Sequence, residues 1–172
     1  MTWEDDMRAA AFISPRDGAA RFFANHVKSA VRNNLSKSIS ENEQIARALF
    51  AALKLYGINY VIDASSSFKD NIGTAQIDSL NFPYQTLLYH GGDCDDLTIL
   101  NCALLESLGI DTALITIPGH IFMAFDSGLE ADKADEKNYI IHDDKAWLPI
   151  EITLCQENWA EEKRFGIKEW NK

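Results

Sequence analysis

Cys94 is the residue best placed for nucleophilic chemistry in this sequence. It follows Gly91, Gly92 and Asp93 at the start of a segment with helical periodicity. At a helix N-terminus, the dipole and the unpaired backbone amides favour the thiolate form of a cysteine. The same amides could stabilise an oxyanion, and the glycines would let a substrate backbone come close. The alternative is a small core residue, which is the ordinary environment of an unpaired cysteine.

A thiol nucleophile needs a base, and His120 is the best placed of the four histidines. Pro118 and Gly119 fix the turn before it, and the strand HIFMAF that it opens would hold the imidazole on a rigid element. His90 lies four residues before Cys94 and is expected to be exposed. The other two are less suited, since one lies inside a helical stretch and one borders a polar turn: His26 and His142.

Glu151 is the carboxylate expected to orient the imidazole and to stabilise its cation. It interrupts an apolar strand predicted over residues 146–154, where a charge is costly unless it is paired. If that strand neighbours the strand of His120, side-chain alternation allows the two residues to meet. Asp126 lies on the strand of His120 itself, roughly 20 Å away at about 3.3 Å per residue, and is set aside. The alternative for Glu151 is an outward-facing position on an edge strand.

The elements that must position these residues are helices in the first half of the chain and strands in the second. Apolar residues at three- and four-residue steps predict helices over 14–35, 40–57 and 93–109, with a short helical turn over 82–88. Ser40 with Glu43, and Asp93 with Asp96, have the spacing of capping boxes. Apolar runs predict strands over 112–117, 120–126, 139–142 and 146–154. Helices followed by a mainly antiparallel sheet define an α+β fold.

A chain of 172 residues predicts a single domain over 1–172. We divide it into a helical lead-in over about 1–81, a core over about 82–154 and a C-terminal tail over 155–172 that is expected to pack back onto the body. Within the lead-in, residues 58–63 are expected to be extended. The aperiodic, Ser-rich segment 64–81 is expected to form a long surface loop.

Charge and cysteine content exclude several classes of function. Sixteen Lys and Arg against 26 Asp and Glu give a net charge of −10, so no basic patch is expected to bind nucleic acid or an anionic membrane. The three cysteines include no C-x-x-C pair, which argues against a disulfide scaffold and a structural zinc site. Cys102 and Cys155 are expected to be inert core residues.

No apolar run approaches the 18 residues of a membrane span, so no membrane insertion is expected. The N-terminus, MTWEDDMRAAAFISP, lacks the apolar run of a signal peptide. A soluble, cytoplasmic protein is therefore expected. An extracytoplasmic location, with flanking domains, stays open if the domain was excised from a longer exported protein.

Four segments together resemble the transglutaminase-like superfamily, a branch of the papain-like thiol enzymes that has bacterial members. These segments are GDCDD (92–96), ALLESLGI (103–110), IPGHIFMAF (117–125) and WLPIEIT (147–153). The resemblance covers about residues 82–153. It implies a papain-like core in which Cys94 is the nucleophile on a helix N-terminus packed on an antiparallel sheet, His120 the base and Glu151 the orienting acid. Many members have Asp where this chain has Glu151.

The resemblance implies a thiol enzyme that cleaves or transfers at an amide bond of a peptide or protein through a cysteine thioester. We expect a cysteine peptidase or amidase that needs no cofactor. The alternatives are a protein-glutamine transglutaminase that crosslinks proteins, and a non-catalytic binding module that keeps the fold. The intact set of cysteine, histidine and acid argues against the binding module.

Two weaker features accompany the main set. Gln85, nine residues before Cys94, is a candidate second donor to the oxyanion. Acids that surround the cysteine, as Asp93, Asp95 and Asp96 do here, bind calcium in some bacterial transglutaminase-like peptidases. Helix capping by Asp93 and Asp96 explains two of these acids, so we expect no metal and at most weak calcium binding.

Overall fold

The computed structural model describes residues 5–62, 79–155 and 157–171. Its α-helices are α1 (Gly18–Val31), α2 (Glu41–Tyr56), α3 (Pro83–Tyr89), α4 (Cys94–Glu106) and α5 (Trp159–Trp170). Its strands are β1 (Asn59–Tyr60), β2 (Gly91–Gly92), β3 (Thr112–Ile117), β4 (His120–Glu130), β5 (Ile140–His142) and β6 (Lys145–Ile150). Short 3₁₀ helices cover Asp6–Phe12, Arg32–Asn34, Ala131–Lys133 and Ile152–Leu154. Of the predicted loop over 64–81, residues 64–78 lie outside the described part of the chain.

The four later strands form one antiparallel sheet in the order β3-β4-β6-β5. Mixed helix and sheet confirm the α+β class. Along β4 the side chains alternate, so that Ile121, Met123 and Phe125 share one face and His120 and Phe122 share the other. The first three are fully buried and belong to the apolar core under the helices. The alternation therefore turns the imidazole of His120 away from that core.

Helix α4 lies at the centre of the molecule. Every residue from Cys94 to Leu105 is buried. The spacing of the apolar residues in the sequence predicts only a single buried stripe. A helix buried on all sides must be covered by several neighbours, and α4 packs against β4, α1 and α3. Its N-terminus, with Cys94, is consequently held inside the body of the protein.

Two helix ends form as the sequence predicts. The Ser40 side chain accepts a hydrogen bond from the backbone N–H of Glu43 at 3.2 Å and caps α2. Gly57 ends the same helix with φ of +93°, a left-handed conformation that glycine adopts at low cost.

The strand predicted over 146–154 is shorter than expected, since β6 ends at Ile150 and the chain turns into a 3₁₀ helix. Glu151 causes the turn, because its Oε1 accepts hydrogen bonds from the backbone N–H of Thr153 at 2.9 Å and from its hydroxyl at 2.5 Å. The carboxylate thereby caps the 3₁₀ helix instead of continuing the strand.

The C-terminal tail folds back as the helix α5 and packs on β6. Gly166 makes this contact possible, because a Cβ atom at its position would lie 2.5 Å from the Cα of Ile150. The backbone N–H of Glu151 donates to the carbonyl of Glu162 in α5 at 3.1 Å. Helix α5 therefore supports the end of β6 where Glu151 lies.

The two-residue strands β1 and β2 pair in parallel and form a second, small sheet. Asn59 lies opposite Gly91, and Tyr60 lies opposite Gly92. Only part of the stretch 58–63 predicted to be extended forms this strand. The pair connects the end of α2 to the start of α4. Within the described ranges, none of the helices is both long and apolar enough to cross a membrane.

Candidate active site

His120 and Glu151 meet at the end of two neighbouring strands. Strands β4 and β6 pair antiparallel with Met123 opposite Ile150, which brings the first residue of β4 beside the residue that follows β6. Nε2 of His120 lies 2.6 Å from Oε2 of Glu151, so the imidazole donates a hydrogen bond to the carboxylate. The contact expected from strand alternation is therefore present, and Nδ1 is the ring nitrogen available for a second partner.

The carboxylate of Glu151 is buried and still favours its charged form. Burial alone would raise its pKa, but the hydrogen bond and charge of His120 and the two hydrogen bonds from Thr153 outweigh burial and lower the pKa. A charged carboxylate held in this way fixes the orientation of the imidazole and stabilises its cation.

The thiol of Cys94 lies at the start of β4. The backbone N–H groups of Ile121, the residue after His120, and of Asp95 act on this thiol and lower its pKa. Only 7% of the residue is exposed. Among the described residues no hydrogen bond joins the sulfur to the imidazole. Proton transfer between the two would need Sγ within roughly 3–4.5 Å of a ring nitrogen, and this approach is a prediction.

The expectation that the helix N-terminus favours the thiolate of Cys94 is wrong for this structure. Burial raises the pKa of the thiol, and the negative charges of Asp95 and Asp93 raise it further. The backbone amides of Ile121 and Asp95 act in the opposite direction without offsetting these effects. The thiol is therefore protonated at neutral pH, and its attack requires a base that removes the proton.

The two acids assigned to helix capping do not cap α4. Asp93 occupies the N-cap position, but its side chain makes no capping hydrogen bond, and its buried Oδ1 has no hydrogen-bond partner in the described part of the chain. Asp96 accepts hydrogen bonds from the backbone N–H and the amide of Asn81, at 2.7 and 2.6 Å. A long-range partner therefore replaces the local one that the spacing predicts.

The same acids, with Asp95, are the residues that could hold a metal ion. One carboxylate oxygen from each of the three lies within 4.8 Å of the others, and all three residues are buried. Oxygen donors of this kind suit a hard cation such as Ca²⁺, which takes six to eight oxygen ligands. The three carboxylates would supply only part of that set. The expected lack of a metal stays a prediction.

The other candidates lie in different surroundings. Gln85 lies in the first turn of α3, where its Oε1 accepts a hydrogen bond from the backbone N–H of Phe82 at 2.8 Å. Its role at the oxyanion stays a prediction. His90 stacks on Tyr56, with Nδ1 3.1 Å from the Tyr56 carbonyl. The two remaining cysteines are buried, and burial raises the pKa of both thiols: Cys102, to about 12, and Cys155.

An open groove of about 700 Å³ runs beside the paired histidine and glutamate. His120 and Glu151 line one part of it, and Ile115 and Trp170 line another. The latter two also border a more apolar groove of about 620 Å³ that continues along the sheet past Trp147. The imidazole, with 26% of its side chain exposed, is therefore accessible to a ligand and to water.

Two residues near the site were missed by sequence reasoning. Tyr60 lies on β1, and burial together with electrostatic interactions with Asp93 and Glu151 raises the pKa of its phenol. Glu162 of α5 is fully buried behind Glu151, with no hydrogen-bond partner for either carboxylate oxygen within the described ranges. The helical periodicity of 159–170 is the one sequence signal that could have indicated α5, and no local signal indicates the pairing of β1.

Comparisons with known proteins return no relative. No family model, no curated protein and no solved structure matches this chain. The arrangement of its own residues is thus the basis for assigning a function.

Proposed function

We propose that this chain is a thiol enzyme of the transglutaminase-like type, with a papain-like core, that hydrolyses an amide bond of a peptide or protein. The hydrogen bond between His120 and Glu151 carries the proposal. A buried glutamate on a histidine is expected where an imidazole must change its protonation state in one fixed orientation. The effect of the Ile121 backbone amide on the Cys94 thiol, which indicates that this thiol lies near the start of β4, supports the same assignment.

In the proposed reaction, the sulfur of Cys94 attacks the carbonyl carbon of the amide. The thiol proton passes to Nδ1 of His120 while Nε2 stays hydrogen-bonded to Glu151. The imidazolium then gives the proton to the leaving nitrogen, the C–N bond breaks, and a thioester and an amine result. Water adds to the thioester with His120 as base, which releases the acid and restores the thiol. A protonated Cys94 requires this coupled proton transfer.

Water is the proposed acyl acceptor. A crosslinking enzyme must hold a second protein's amine at the thioester and keep water out. The open groove beside the partly exposed imidazole of His120 favours access of water instead. A glutamine-containing peptide offered with a fluorescent primary amine tests this choice. Ammonia release or peptide cleavage without amine incorporation is expected, and incorporation that equals hydrolysis would assign a transferase.

The experiment that tests the proposal is covalent labelling with an electrophilic peptide probe, read by mass spectrometry at each cysteine. Cys94 is expected to be labelled much faster than the other two cysteines near pH 7.5, and the His120→Ala variant is expected to lose most of this rate. Two variants are matched controls: Cys155→Ala, which removes a thiol that is equally buried, and His142→Ala, which removes an exposed imidazole. Equal, slow labelling of all three cysteines would favour a binding module.

A further inference from the structure

The side chain of Tyr60 projects from the β1–β2 pair on the same side as the first turn of α4. It lies opposite Gly92 in parallel register, so the two residues project to the same side. A Cβ atom at Gly92 would lie 2.4 Å from the Cβ of Asp96, which belongs to that first turn. The side chain of Tyr60 therefore extends on the side where α4 begins with Cys94.

Electrostatic interactions of the phenol agree with this placement. Its hydroxyl is affected by Cys94 and Asp93 at the helix end and by Glu151 beside the imidazole. No hydrogen bond occupies the hydroxyl within the described ranges, and 41% of the residue is exposed, so a bound substrate can reach it. The strand register and these electrostatic interactions thus agree that the phenol lies on the side where the nucleophile begins α4.

The phenol is also kept in the form that donates a hydrogen bond. Burial raises the pKa of Tyr60 to about 12, and the negative charges of Asp93 and Glu151 add to the shift. The proton therefore stays on the hydroxyl over the pH range in which a thiol enzyme works. A neutral donor beside a site of developing negative charge stabilises that charge without prior reorganisation.

We propose that Tyr60 is a further catalytic residue, whose hydroxyl donates a hydrogen bond to the carbonyl oxygen of the amide as Cys94 attacks it. The inference rests on the proposed function. The hydroxyl keeps its proton throughout, and its role is to stabilise the oxyanion of the tetrahedral intermediate. It would act together with the backbone N–H of Cys94 as the second hydrogen-bond donor to the oxyanion, the role for which the sequence indicates Gln85 as a candidate.

Two electrophiles distinguish stabilisation of the oxyanion from a general effect of Tyr60 on the reactivity of the Cys94 thiol. Iodoacetamide alkylates a thiol by displacement of iodide and develops no oxyanion. With an N-acetylalanyl chloromethyl ketone, the sulfur first adds to the ketone carbon, which makes the ketone oxygen an oxyanion, and then moves to the methylene carbon as chloride leaves and the ketone re-forms. The rates of both reactions at Cys94 are measured by mass spectrometry in the wild type and in Tyr60→Phe, with Tyr56→Phe as the control. Tyr56 is a similarly exposed tyrosine whose ring stacks on His90.

Tyr60→Phe is expected to slow the ketone reaction at least about tenfold and to change iodoacetamide alkylation less than about twofold. Tyr56→Phe is expected to change neither rate. Unchanged ketone labelling, or an equal loss of both rates, would overturn the role of Tyr60 while leaving the proposed function intact. If Cys94 of the wild type reacts with iodoacetamide no faster than Cys155, the proposed function fails and this inference fails with it.

Discussion

Replacing Glu162 with glutamine should remove a large pH dependence of stability. The side chain is 0% exposed, and neither carboxylate oxygen has a hydrogen-bond partner in the described part of the chain. Burial raises the pKa of this carboxyl to about 9, and the negative charges of Glu151 and Glu157 add to the shift, while Lys54 opposes it. The folded protein therefore holds a proton at Glu162 at neutral pH, whereas the unfolded chain does not.

The sign and size of the effect follow from proton linkage. Between the ordinary pKa of 4.5 and the folded value of about 9, the folded state binds more protons than the unfolded state. The free energy of unfolding contributed by this group is therefore fully present below pH 4.5. It falls by up to about 1.4 kcal/mol for each pH unit up to pH 9. Between pH 5 and pH 7.5 the wild type should lose about 3 kcal/mol relative to Glu162→Gln.

Urea unfolding followed by tryptophan fluorescence at pH 5, 6, 7.5 and 8.5 measures this difference. Glu162→Gln should be close to the wild type in stability at pH 5 and should exceed it increasingly at higher pH. Glu161→Gln is the matched control, because it makes the same substitution at the preceding, more exposed residue of α5. It should follow the slope of the wild type. Parallel pH profiles for Glu162→Gln and the wild type would refute the assignment of a buried, protonated carboxyl.

Three further variants test other parts of the structure. Glu151→Gln should leave the far-UV circular dichroism spectrum unchanged and lower the rate of peptide hydrolysis by about 10²–10⁴, because the imidazole loses its charged partner; a loss below fivefold would argue against that role. Asp95→Asn should raise the rate at which iodoacetamide alkylates Cys94 at pH 7.5, since removing this charge lowers the pKa of the thiol; an unchanged rate would contradict the cause assigned to the raised pKa. Gly166→Ala should lower the free energy of unfolding by about 1–3 kcal/mol, although alanine favours helices, because its Cβ would meet the backbone of Ile150; equal stability in urea would show that the contact relaxes.

The parts of the fold that the sequence predicts are those with local causes. Ser40 caps α2 through a residue three positions later, and Gly57 ends that helix by its own conformational freedom. Alternation along β4 is also local, and it brings His120 to Glu151, which directly follows β6, once the two strands are neighbours. Spacing along the chain was enough for these features.

The parts that the sequence did not predict depend on distant partners. Asp96 has the spacing of a capping residue, yet it binds Asn81, which lies 15 residues earlier. The pKa of Cys94 depends on how deeply neighbouring elements bury α4, which its own residues do not reveal. Tyr60 reaches the site through a parallel pairing with a segment about thirty residues away, and such pairings leave no local signal.

The connection between β3 and β4 allows no change in length. Ile117 lies opposite His120, so only Pro118 and Gly119 join the two strands, with Gly119 at φ of +79°. Inserting or deleting one residue there would shift the alternation of β4 and turn the imidazole to the opposite face of the sheet. The connection after Glu130 lies beyond the paired segment that carries His120, and it can accept insertions without changing that register. Tags or grafted loops in an engineered form of this protein therefore belong after Glu130.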